Sequence, residues 1–164
     1  MKQNLIFSVF LLFLLLNMLP SVLIIRPVRA ADNYIYIKAD GSIDPPTAPI
    51  LRDGDVYYIL ENISATIFVE RSNILLYGYG YTLQDGGFQL FASNVTIENV
   101  NVKSCWEGIS IYGWGDPSVG SYILIENCTI SNNVYGVINH NWTTNTITRN
   151  NNFIANTVGL AIAG

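Results

Sequence analysis

The chain has 164 residues, half of them hydrophobic and only 12% charged, with a formal net charge of −4. These values exclude a disordered polar chain, which combines low hydrophobicity with high charge. They also exclude a nucleic-acid binder that relies on basic charge, and the length allows one domain.

Residues 1–30 form an export segment. Lys2 and the amino terminus supply a short positive stretch, an apolar run extends from Leu5 to Ile25, and Val28 and Ala30 place small residues before a cut at Ala31. This is the layout of a secretory signal peptide. The run is also about the ~20 residues that a helix needs to cross a bilayer. An uncleaved N-terminal anchor helix is therefore the competing reading, and it is the one contact with a membrane that the sequence offers. In either case the remainder is exported, and the expected location is secreted or at the cell surface. Cleavage removes Lys2, Arg26 and Arg29, leaving five basic residues against twelve acidic ones and a charge of −7. Such a chain disfavours nucleic acid and anionic lipid as partners.

Residues 32–60 are expected to cap the N-terminal end of the core. Tyr34–Lys38 alternates as a strand, and the turn-rich stretch Asp40–Pro49 carries three prolines that an interior strand would not tolerate.

A repeat fills residues 61–164. Three segments align: VTIENVNVKSCWEGISI from Val95, ILIENCTISNNVYGVIN from Ile123 and TITRNNNFIANTVGLAI from Thr146. Asn99, Asn127 and Asn150 form one column, and Gly87, Gly108, Gly136 and Gly159 another, at unequal steps of which Gly108 to Gly136 is the longest. Apolar columns follow: Phe88, Ile109, Val137 and Leu160 after the glycines, and Val102, Ile130 and Phe153 after the asparagines. The segments are too short, too β-branched and too rich in Asn and Gly for helical repeats. Brief alternation broken by Asn or Gly predicts short strands and tight turns. One copy cannot bury its apolar face alone, so stacked copies are predicted, with parallel pairing and like residues forming a continuous core. Asn tolerates the left-handed backbone of a tight turn. Its amide can also bond to the Asn of the next coil, so the Asn99–Asn127–Asn150 column is expected to form a buried ladder.

These repeats resemble the right-handed parallel β-helix proteins of the pectate-lyase-like superfamily, and more narrowly the NosD-type carbohydrate-binding and sugar-hydrolase repeat proteins. The stretch from Ile35 to Gly87 is similar to the start of many exported archaeal β-helix proteins. The resemblance implies an all-β, right-handed, single-stranded parallel solenoid. It leaves activity open, because the superfamily holds lyases, hydrolases, adhesins and surface proteins. The last segment, GLAIAG, follows an inward-facing strand without a polar closing stretch. The expectation is a longer β-helix that continues beyond this sequence, or end-to-end self-association if the chain is complete.

Candidate chemistry is sparse. Glu98 and Glu126 share a column with Arg149. Stacked carboxylates ~5 Å apart would approach a retaining glycosidase pair, but the favoured reading is a solvated column and no catalytic residue. The calcium-binding Asp clusters and basic catalyst that the resemblance implies for pectate-lyase-like enzymes find no match in Asp85, Asp116, Lys103 or Arg149. NosD-type proteins are linked to copper-enzyme maturation, yet His140 is the only histidine and no methionine remains beyond the export segment. No metal and no cofactor is expected. Cys105 and Cys128 do not share a column and read as free thiols. Trp106, Tyr112, Trp114, Tyr135 and Trp142 lie in or beside turns, where exposed rings can stack on sugar faces. Of four sequons, Asn62, Asn94 and Asn141 are the expected glycosylation sites, with Asn127 hidden in the ladder.

The functional expectation is a non-catalytic surface module that binds polysaccharide or cell-surface glycan, or acts as a structural or adhesive element. Two alternatives stand beside it. One is a lyase or hydrolase whose active residues lie in further C-terminal coils. The other is a NosD-like accessory protein for metalloenzyme assembly.

Overall fold

The computed structural model describes residues 34–113 and 119–163. The expected export segment, Trp114 and Asp116 lie outside them. Among the described residues every element is a β-strand, and no helix is long and apolar enough to cross a membrane.

The strands in chain order are β1 (Tyr34–Ile37), β2 (Ile43–Asp44), β3 (Ile50–Asp53), β4 (Val56–Ile59), β5 (Ile63–Val69), β6 (Ile74–Tyr77), β7 (Thr82–Leu90), β8 (Val95–Glu98), β9 (Asn101–Lys103), β10 (Glu107–Ile111), β11 (Ile123–Glu126), β12 (Thr129–Ser131), β13 (Tyr135–Asn139), β14 (Ile147–Arg149), β15 (Asn152–Ile154) and β16 (Val158–Ile162). Each full coil contributes three strand segments that pair in parallel with their counterparts one coil away. On the first face β4, β6, β8, β11 and β14 stack; on the second the starts of β5 and β7, then β9, β12 and β15; on the third β1, the ends of β5 and β7, β10, β13 and β16. Parallel pairing already begins at β1 and β4, upstream of residue 61. The antiparallel strands β2 and β3 attach to them within residues 34–60.

The expected columns are the register partners. Leu75, Thr96, Leu124 and Ile147 stand in line from coil to coil, although the lengths of chain between them differ. The inward side of the first face is Tyr57, Leu76, Ile97 and Ile125, all buried, with Thr148 as the exception. The second face contributes Ile63, Leu83, Val102 and Ile130, and the third Ile67, Phe88, Ile109 and Val137. Each such side chain contributes roughly 1.5–3 kcal/mol by leaving water, and stacking supplies the second layer that one coil lacks. The glycine column has a steric cause. A Cβ on Gly108 would meet the carbonyl oxygen of Gly136 at 2.6 Å, and one on Gly136 would meet that of Gly159 at 2.5 Å. Only glycine lets adjacent coils approach this closely.

The asparagine ladder lies elsewhere than expected. Asn99, Asn127 and Asn150 do take the left-handed turn conformation, with φ of 55, 54 and 54°. Their amides do not bond to one another: Asn99 donates to the Tyr77 hydroxyl, and Asn127 to Glu98. Asn127 is exposed rather than hidden. The inward asparagines are Asn133, Asn151 and Asn156. The Asn133 Oδ1 accepts the Cys105 N–H, and its Nδ2 donates to the Val102 carbonyl and to Asn156 Oδ1 at 3.0 Å. Asn156 and Asn151 repeat the pattern toward the Ile130 and Ile125 carbonyls, and Asn151 also accepts the Cys128 N–H. These amides satisfy backbone groups at corners hidden from water. The positive φ of the Asn99 column turns its own side chains outward, so the ladder falls to later corner residues.

Cys105 and Cys128 are free and buried beneath these corners. Burial pushes each thiol up to about 11.

Candidate functional site

The outer side of the third face brings a carboxylate, a hydroxyl, a phenol and an imidazole together. The Glu107 carboxylate accepts a hydrogen bond from Ser110 Oγ at 2.5 Å and one from the Tyr112 hydroxyl at 3.3 Å. His140 Nε2 lies 3.5 Å from the same carboxylate oxygen and makes no aligned hydrogen bond, so it is a close electrostatic contact. The Glu107 side chain is 20% exposed, and Ser110 is fully buried although its register turns it outward.

Coil stacking brings these groups together. Ile111 and Asn139 are register partners, so Tyr112 and His140, the residues that follow them, lie one above the other. Their rings stack at 4.3 Å with 4° between planes. The stack continues through Phe91, Phe68 and Tyr36 at 4.7, 6.2 and 4.8 Å. Tyr112 therefore has Phe91 on one face and His140 on the other. Its hydroxyl bonds to Glu107, and burial raises that hydroxyl's pKa. It is a structural ring, not the free sugar platform expected of it.

Beyond His140 the surface opens into a pocket of about 350 Å³ lined by His140, Asn141, Trp142, Thr143, Ile162 and Ala163. Asn141 and Trp142 form a turn, and Trp142 is held at φ 73° with the residue 65% exposed. A bulky residue in the left-handed region is strained, and such strain clusters at ligand sites. The indole thus stands in solvent at the rim of a cavity whose other walls are an imidazole, an amide, a hydroxyl and two apolar side chains. This combination can grip a sugar, with ring stacking on its C–H face and polar atoms meeting its hydroxyls.

The other candidates fall apart from this place. Trp106 is 71% exposed and meets Tyr135 edge-on at 6.5 Å, at the opposite end of β10 and β13. Glu98 and Glu126 are register partners on the first face, but Arg149 pairs with Glu126 at 2.6 Å and Glu98 accepts from Asn127. Beside that face lies a group the sequence reading missed, in which Tyr79 stacks on Tyr58 and meets Tyr77 edge-on. Glu107 and Ser110 were missed as well. The available signal was that Tyr112 and His140 are separated by one repeat step, the same step that separates Gly108 from Gly136. Among the described residues no group of three or more His, Cys, Asp or Glu could hold a metal ion.

A family model described as the right handed beta helix region matches residues 54–164. No curated protein and no solved structure matches the chain.

Proposed function

The chain belongs to the right-handed β-helix family, and from that membership we propose that it is an exported, cell-surface module that binds carbohydrate without transforming it. The observation that carries this reading is Trp142, a strained and exposed indole at the rim of the His140–Ala163 pocket. The resemblance of the repeats to NosD-type carbohydrate-binding proteins supports it, as does the export layout of residues 1–30. In this reading the stacked coils are a rigid scaffold, and the Glu107–Ser110–Tyr112 bonds fix the ring on which His140 rests. Binding of uncharged polysaccharide fits the site, since Glu107 beside His140 opposes an acidic sugar.

Titration of the full chain from a host that does not glycosylate with a panel of polysaccharides, read by tryptophan fluorescence, is expected to give a saturable change with at least one neutral glycan. The change is expected to vanish in Trp142→Ala. Silence across the panel, or an unaltered response in Trp142→Ala, overturns the proposal.

A further inference from the structure

Asn141, Trp142 and Thr143 are half of the residues lining the pocket, and together they are an Asn-X-Thr acceptor sequence. The four acceptor asparagines differ in how their amides are held. Asn62 Oδ1 accepts the Thr82 N–H at 2.9 Å, which fixes the plane of that amide. Asn94 Nδ2 donates to Asn73 at 2.9 Å, and Asn127 Nδ2 to Glu98 at 3.4 Å. The Asn141 side chain is exposed and, among the described residues, has no hydrogen-bond partner. Of the four amides it alone is uncommitted at both its oxygen and its nitrogen, so it can turn to take a substituent without breaking a contact.

We infer that a glycan attached to Asn141 occupies the pocket and closes it to free polysaccharide. This rests on the reading of that pocket as a sugar site. The transfer step uses a lipid-linked oligosaccharyl pyrophosphate as donor. The bond between sugar C1 and the pyrophosphate oxygen breaks, a bond between C1 and Asn141 Nδ2 forms, the displaced amide proton goes to the transferase, and the lipid pyrophosphate leaves. The first sugar then sits one residue from the exposed Trp142 indole. A short tether holds it at millimolar or higher effective concentration. Its C–H face covers the indole, and Ile162 and Ala163 supply the apolar floor. Modification at Asn141 thereby switches the module from glycan-binding to self-occluded.

The test compares the full chain secreted from a glycosylating host with the same chain from a host that does not glycosylate. Glycopeptide mass spectrometry reads occupancy at Asn141. Acrylamide quenching reads burial of Trp142 in a Trp106→Phe, Trp114→Phe chain, where it is the sole tryptophan. The expected result is an occupied Asn141 with Trp142 protected from quencher, and protection lost on enzymatic removal of the glycan. In the natural sequence, deglycosylation at Asn141 is expected to be slower than at Asn62 or Asn94. An unmodified Asn141, or an occupied one with Trp142 equally quenched and deglycosylation equally fast, overturns the inference. Quenching needs no added polysaccharide. A panel that is silent on the unglycosylated chain, with Trp142 protection retained in the glycosylated one, therefore defeats the binding proposal and leaves occupation of the pocket by the Asn141 glycan standing.

Discussion

The coil β8–β10 and the coil β14–β16 carry the same repeat, yet the same columns have opposite exposure in them. Ile111 is fully buried and Ile162, two coils on in its column, is 80% exposed. Val102 and Ile109 are fully buried, whereas their counterparts Phe153 and Leu160 are 38% and 51% exposed. Both coils have the same strands in the same register. The difference is that β8–β10 lies between two described coils and β14–β16 pairs with one. Residue pattern gives a coil its shape, and neighbours on both sides give it most of its burial free energy.

That contrast can be broken at matched positions. The largest effect is expected for Ile111→Ala, which should cost about 2–5 kcal/mol through lost burial and a cavity. Ile162→Ala should stay within about 0.5 kcal/mol. Chemical denaturation measures both, and equal costs would show that the coil β14–β16 is covered in solution. Next comes the glycine column. Gly136→Ala forces its methyl group against the Gly159 carbonyl and should cost about 1–3 kcal/mol. Among the described residues Gly159→Ala meets only Phe153 Cδ1, at 3.8 Å, and should be neutral, or stabilising by up to ~1 kcal/mol through the unfolded state.

Asn133→Ala leaves the Cys105 N–H and the Val102 carbonyl without their partner and should cost about 1–3 kcal/mol. Asn152→Ala, on the exposed side of β15, should change stability by less than ~0.5 kcal/mol. The last contrast concerns the thiols. Burial raises Cys105 and Cys128 from 9.0 to about 11, so the folded state favours the neutral form. Their contribution to stability is complete below pH 9 and declines as pH rises through about 11. Denaturation midpoints at pH 8 and pH 10.5 should differ more in the natural chain than in a Cys105→Ala, Cys128→Ala chain.

The columns of Gly108, Gly136 and Gly159 and of Ile109, Val137 and Leu160 were legible in the sequence because the repeat fixes which residues share a position. What a side chain does at its position was less legible. Asn99 and Asn133 are chemically identical, and only the backbone angle at each corner decides which amide points inward. The ladder column also mixes Cys105 with Asn133 and Asn156, which hides it from any search for like residues. The Glu107–His140 contact joins residues on different coils whose types do not repeat. It emerges only when Tyr112 is placed beneath His140. Trp142 was legible as an aromatic at a turn, but its strained φ and the Ile162–Ala163 floor belong to the folded chain.

The unequal steps of the register have a consequence for engineering. Thr96 and Leu124 align across the longest of these steps as accurately as Leu75 and Thr96 do across the shortest. The fold therefore counts pairings and ignores the length of chain between them. A foreign peptide added to a connection between coils is therefore expected to leave the strands on either side in alignment.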